Sequence, residues 1–229
     1  MASDNHKWCF TWFAQKPKAS GAERAALVKN TKWASGDTIT VSFLDGDPGV
    51  QERVRRVARQ WTAPGLANLT LDFRNDNDTD IRISFQYAES WSVIGTTCQS
   101  ITDRTQPTMN FGWLTPGSDD DEVHRVVLHE FGHALGLIHE HQNPGSVIHW
   151  NRQQVIKDLS GPPNKWTLDV IEHNMFEPCD AGETNFTAVD PQSIMMYPIP
   201  ASWTTDGFSA GLNRDLSPTD RDFIAGQYP

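Results

Sequence analysis

The chain is poor in cysteine, in basic charge and in long apolar runs. Three cysteines, Cys9, Cys98 and Cys179, occur in 229 residues. So odd and sparse a set leaves a single Cys98–Cys179 bridge open without establishing it. Lys and Arg number 19 against 29 Asp and Glu, a net charge of −10. Phosphate binding needs a basic face, so nucleic acid is a poor partner. No run of about 18 apolar residues occurs, so no membrane-spanning helix and no membrane partner is expected. The apolar stretch Trp8-Cys9-Phe10-Thr11-Trp12-Phe13 is too short and too aromatic for a signal-peptide core. The expected compartment is therefore the cytoplasm unless a leader has been removed. There is no internal repeat and no long low-complexity tract. What remains is enough chain to bury a substantial core as one domain, or as two lobes around a cleft; a monomer is expected.

Local patterns divide that chain. Residues 1–30 show no clear period. Thr38-Ile39-Thr40-Val41-Ser42-Phe43-Leu44 alternates and is β-branched, as a strand requires. Asp47 is placed to cap a helix over about 49–62, with Pro48 near its first position. Val50, Val54, Val57 and Trp61 share one face of it, and its arginines read as a solvated outer face. Leu69–Phe73 and Ile81–Phe85 read as strands. The intervening Asn75-Asp76-Asn77-Asp78-Thr79-Asp80 lacks the glycine and terminal glutamate of an EF-hand loop, so it reads as a polar turn rather than a calcium site. Pro107–Trp113 reads as a short strand near the end of the sheet. Acidic residues at 119–122 open a helix at its positive end. Further helices are expected over about 150–159, 166–176 and 218–227.

The chemistry lies in His129-Glu130-Phe131-Gly132-His133-Ala134-Leu135-Gly136-Leu137-Ile138-His139-Glu140. His129 and His133, four apart, lie on one helix face and reach one zinc ion at about 2.0–2.1 Å. Glu130 is rotated away from the ligands, where a general base for an attacking water belongs. Gly136 suits a left-handed helix stop, because it has no Cβ to clash there. The chain can then swing back to offer His139 as third ligand, with a fourth position open as catalytic zinc requires. H-E-x-x-H alone occurs by chance on solvated helices; Gly136 and His139 at these offsets make chance a poor explanation.

Far downstream stands Ser193-Ile194-Met195-Met196-Tyr197-Pro198. With this second element the chain resembles the metzincin metallopeptidases, and within them the astacin family. Glu140 directly after the third histidine, His141, Pro144 and the S-I-M-x-Y turn carry the likeness. The resemblance implies an α+β zincin fold: a twisted, mainly parallel sheet with an antiparallel edge strand, an active-site helix and an irregular helical C-terminal lobe. It implies that Met195 lies beneath the zinc. It also implies that Tyr197 approaches the metal as an extra ligand and then stabilises the transition state. It implies an edge strand that pairs with extended substrate, here assigned to Asn110, Phe111, Gly112 and Trp113. Trp33-Ala34-Ser35-Gly36 resembles the entry to the first strand of mature astacins, whose new N-terminal amine reaches the residue matching Glu140. The expected division is an extension, 1–32, packed on a single domain, 33–229, with lobes 33–136 and 137–229. Residues 1–21 are then extra, and retention is expected, with Glu140 serving structure. A Cys9 thiolate plugging the zinc site is a sharper variant; a buried structural cysteine is the plainer reading. Met196 departs from the histidine of many astacins, and the cysteines are fewer than their two disulfides need.

The expected activity is hydrolysis of internal bonds in a peptide or protein by a zinc-dependent endopeptidase. Two other readings stand beside it: a zinc hydrolase acting on a small amide or ester, and a zinc-binding pseudoenzyme, which the intact Glu130 disfavours. No N-E-x-x-x-D context supplies a downstream glutamate ligand. The cleavage preference is not legible in the sequence.

Overall fold

The computed structural model describes residues 31–162, 164–179 and 188–229, together with the backbone of 9–12. A six-stranded sheet is built from β1 (Cys9–Trp12), β2 (Thr38–Phe43), β3 (Thr70–Phe73), β4 (Ile81–Ser84), β5 (Ser90–Val93) and β6 (Met109–Asn110), in the spatial order β1-β5-β6-β4-β2-β3. All pairings are parallel except β5 with β6. This is the mixed α+β architecture expected from the motifs. Alternation explains the inner strands: Ile39 and Val41 on β2 and Ile83 on β4 are fully buried.

Two helices back the sheet. In α1 (Pro48–Ala58), Asp47 accepts from the Gly49 and Val50 N–H groups at 2.8 and 3.2 Å. Val50, Val54 and Val57 face the core, and Trp61 follows in a 3₁₀ turn. Arg53 pairs with Asp120 at 2.6 Å, and Arg55 lies 4.7 Å over the ring of Phe43. The second helix, α2 (Asp120–Ala134), is capped by Asp119 and carries Val123, Val126, Val127 and Phe131 into the same core.

The rest is less regular: α3 (Arg152–Ser160), α4 (Leu168–Ile171) running into a π turn over Glu172–Phe176, and α5 (Pro218–Gln227). A second cluster gathers here around Val155, Leu159, Ile171, Met175, Ile199 and Trp203. Helix boundaries at 152–160 and 218–227 fall close to those expected, because Asn151 and Ser217 are local caps. Two strands escaped the sequence reading, β1 and β5. No helix among the described residues is long and apolar enough to cross a membrane.

The sheet corrects one site assignment. Asn110 ends an interior strand, flanked by β4 and β5, and its side-chain amide is tied to the Tyr87 and Glu89 carbonyls. Phe111 is fully buried against Phe85. Gly112 approaches the backbone of Tyr87 and Ala88 so closely that a Cβ would overlap it. Trp113 donates to Glu122 at 2.8 Å. None of these four forms the edge; β5 lies outside them, and β1 pairs with the outer side of β5. Chain order misled here, since β5 precedes β6 in sequence but lies beyond it in space.

Candidate metal centre

Helix α2 positions the site, and it is held from three sides. Trp61 Nε1–H donates to the Leu128 carbonyl at 2.9 Å. At its C-terminus, where carbonyls lose their intrahelical donors, Trp33 Nε1–H reaches Ala134 O at 2.9 Å and the Tyr228 hydroxyl reaches Leu135 O at 2.7 Å. Gly136 then adopts φ 93°, while its N–H bonds His133 O and the Leu137 N–H bonds Gly132 O. That pair of bonds is a Schellman stop, which favours glycine at the left-handed position. The reversal carries the chain to His139.

His129, His133 and His139 are all buried, and one ligand nitrogen from each lies within 4.8 Å of the others. The ring centroids of His129 and His133 are 4.9 Å apart, and those of His133 and His139 4.6 Å. Each Nδ1 faces an oxygen acceptor. His129 reaches Ile194 O at 2.8 Å, His133 reaches Leu137 O at 2.9 Å, and His139 faces Gln142 Oε1 at 3.4 Å. Gln142 spends its NH₂ group on the His173 and Glu177 carbonyls, which leaves its oxygen to accept. The proton therefore sits on Nδ1 in all three, and every Nε2 presents a lone pair. His133 Nε2 and His139 Nε2 face each other at 3.1 Å, and His129 Nε2 is buried without a hydrogen-bond partner. Converging lone pairs repel unless a cation lies between them, so the donor set fits zinc. Burial lowers all three imidazole pKa values, to about 4 for His133 and well below the usual value for the others, where neighbouring imidazoles add to the effect. Neutral rings are the ligand form.

The remaining residues surround this trio. Glu130 is fully buried on α2, about 100° around the helix from His129. Tyr197 is buried, with its ring 4.2 Å from His139 and 4.7 Å from His141. Met195 lies beneath α2 against Gly132, whose missing side chain makes room for the thioether. Glu140 accepts from the Asp190 N–H at 3.0 Å and the Asn143 amide at 3.1 Å. Burial pushes its pKa up to about 7, with those two donors opposing. The Glu140 N–H also donates to Met195 O at 3.0 Å, which ties the third-ligand segment to the methionine turn.

Several contributors were not visible in sequence. Gly132 occupies an unspecified position of the motif, and its role depends on a residue 63 places away. The carbonyls of Leu137 and Ile194 leave no side-chain signature. Cys98 is a free, buried thiol, so the structure has no Cys98–Cys179 bridge; burial pushes the thiol pKa up to about 12. The Cys9 side chain, Ala22 and all of 1–30 apart from the backbone of 9–12 lie outside the described residues, so the plug and the freed-amine readings do too.

Fold and site together define a class: a zinc metallopeptidase of the metzincin type. The matrixin family profile matches residues 32–160, and the chain belongs to that family of metalloendopeptidases. One structure of myroilysin superposes with a TM-score of 0.85 at 42% identity, over 88% of this chain and 97% of that one. A crystal structure of myroilysin gives 0.69 at 39% identity, over 99% and 92%. High choriolytic enzyme 1, a hatching-enzyme zinc protease of the medaka Oryzias latipes, shares the fold at 18% identity, with a TM-score of 0.58 over 87% and 95%. No curated protein matches the chain.

Proposed function

We propose that the chain is an endopeptidase that holds one catalytic zinc through His129, His133 and His139, uses Glu130 as its general base, and binds substrate as an extended strand. The observation that carries the reading is the convergence of three neutral imidazole lone pairs one helical step from a fully buried carboxylate. When bound, zinc supplies Lewis acidity, polarising a carbonyl and making a water acidic enough to lose its proton near neutral pH. Glu130 takes that proton and passes it to the leaving amine. Tyr197, ring to ring with His139, is placed to donate its phenolic proton to the developing oxyanion. An approach of Tyr197 to the metal in the resting state belongs to the same reading.

The substrate strand is assigned to β5 rather than to residues 110–113. The outer side of β5 pairs with the four residues of β1, which supports its use for an extended substrate segment. Main-chain pairing of that kind is independent of side chains and suits a peptide. It also favours a peptide over a small amide. Residues 33–229 act as the peptidase domain on this reading, with β1 laid along the substrate edge.

Glu130→Ala is the direct test. The variant should bind zinc as the parent does, while its turnover of a peptide library drops to background. Parent-like cleavage would remove Glu130 from the mechanism. If the parent cleaves small amides but no peptides, the substrate assignment fails. If it binds zinc and cleaves nothing, the chain is a binding protein.

A further inference from the structure

Helix α5 is remote in sequence from the zinc motif, yet one of its side chains ends a hydrogen-bond chain that begins on a metal ligand. Asp220 is 4% exposed and lies in the first turn of α5. Its Oδ1 accepts from the Ser193 hydroxyl at 2.6 Å. Its Oδ2 accepts from the N–H groups of Ile194 at 2.8 Å and Ser217 at 3.0 Å. The Ser193 hydroxyl oxygen in turn accepts from the Met195 N–H at 3.0 Å. That N–H and the Ile194 carbonyl belong to one peptide unit, and the Ile194 carbonyl accepts from His129 Nδ1 at 2.8 Å.

The donors therefore all run one way. His129 Nδ1–H gives to the Ile194–Met195 peptide, the peptide N–H gives to Ser193, and the Ser193 hydroxyl gives to the Asp220 carboxylate. Hydrogen bonds aligned head to tail polarise one another, and in a buried setting the effect is not quenched by water. A carboxylate hydrogen-bonded directly to a ligating imidazole fixes its tautomer and raises its basicity toward the metal. Here the carboxylate acts at a distance, through a hydroxyl and a peptide. The second anchor, from Ile194 N–H to Oδ2, holds the same residue from its other side, so the carbonyl cannot turn away from His129.

We propose that Asp220, acting through Ser193 and the Ile194–Met195 peptide, is a positioning residue that holds His129 in its ligand tautomer and tightens its grip on zinc. This rests on the zinc-site reading above. It makes α5 part of the metal site, through bonds to the methionine turn.

The test is a zinc titration of the metal-free full-length chain against a competing chelator, with the imidazole ¹⁵N shifts of His129 read alongside. Direct outer-shell partners of zinc-bound histidine are worth about 10–100-fold in affinity; at one remove, the low end is expected. Ser193→Ala and Asp220→Asn should each weaken zinc binding about tenfold and move His129 away from its Nδ1–H signature. Ser193→Thr, which keeps the hydroxyl, should restore both readouts. The double variant should bind no worse than the weaker single, since both changes cut one chain. Asp190→Asn alters the hydroxyl that caps α5, because Asp190 accepts from Ser217 at 2.6 Å, but leaves the relay intact; it should stay within about twofold of the parent. Unchanged affinity in Ser193→Ala, additive losses in the double variant, or an equal loss in Asp190→Asn would overturn the relay. A parent chain that takes up no zinc at the three histidines would instead overturn the site reading itself, so the two failures are separable. Should Asp220→Asn not fold, Ser193→Ala and its Thr rescue decide the matter.

Discussion

Gly132→Ala tests how the methionine turn is seated. A Cβ at Gly132 would overlap Met195 Sδ and stand 3.2 Å from its Cε and 3.3 Å from Trp61 Cζ2. Met195 is 1% exposed and Trp61 fully buried, so the thioether has no open space to enter. Overpacking of this kind costs about 1–3 kcal/mol. Replacing a glycine in the last turn of a helix by alanine returns at most about 1 kcal/mol through helix propensity. The net expectation is a loss of up to about 3 kcal/mol. Met195→Ala empties the space the new methyl would enter, and in that background the overlap term vanishes while the propensity gain remains. Gly132→Ala should then stabilise by at most about 1 kcal/mol, giving a coupling of about 1–3 kcal/mol between the sites. Urea unfolding of the four members of the cycle measures it, provided the slope m is constant across them. A coupling near zero, with Gly132→Ala stabilising both backgrounds alike, would refute the claim that this glycine exists to admit the thioether.

Two further outcomes are expected. Tyr197→Phe should lower kcat by about 10²–10³, the usual effect of losing one oxyanion donor, with KM little changed; an unaltered kcat would leave Tyr197 as a packing residue against His139 and His141. A chain beginning at Ala22 lacks β1 and exposes the outer side of β5. Its kcat/KM on an extended peptide should rise by about tenfold, which corresponds to about 1.4 kcal/mol of β1 pairing that need no longer be displaced. An unchanged kcat/KM with unchanged stability would mean that peptides do not enter along β5.

What could be read in the sequence is what depends on near neighbours. The His129–His133 spacing, the Gly136 stop, the Asp47 cap and the alternation of β2 are all set within a few residues. The methionine turn was legible only as a resemblance, since Ser193–Pro198 announces nothing about where it packs. β5 was missed although Ser90, Trp91, Ser92 and Val93 alternate, because four residues are too few to rise above a loop. β1 was missed for the same reason. Placing the edge at residues 110–113 failed because strand order in a sheet is a long-range property. The bonds from Asp220 to the turn span 26 and 27 residues, and neither partner carries a pattern that names the other. The astacin likeness rested on Glu140 and on the turn, whereas the matrixin profile ends at residue 160, upstream of the turn.

The two indole and phenol caps on α2 tie distant parts of the chain into a ring. Trp33 comes from the entry to the first core strand and Tyr228 from beyond α5, yet they quench the adjacent carbonyls of Ala134 and Leu135. Tyr228 also accepts from the Asn68 N–H at 2.8 Å, and the Pro229 carbonyl receives Asn68 Nδ2–H at 3.0 Å and the Ser35 hydroxyl. Loosening of the segment around Trp33 or of the segment around Tyr228 therefore exposes the same helix end, the one that launches the turn to His139. Loosening on either side should therefore release metal and unfold the described core as one event.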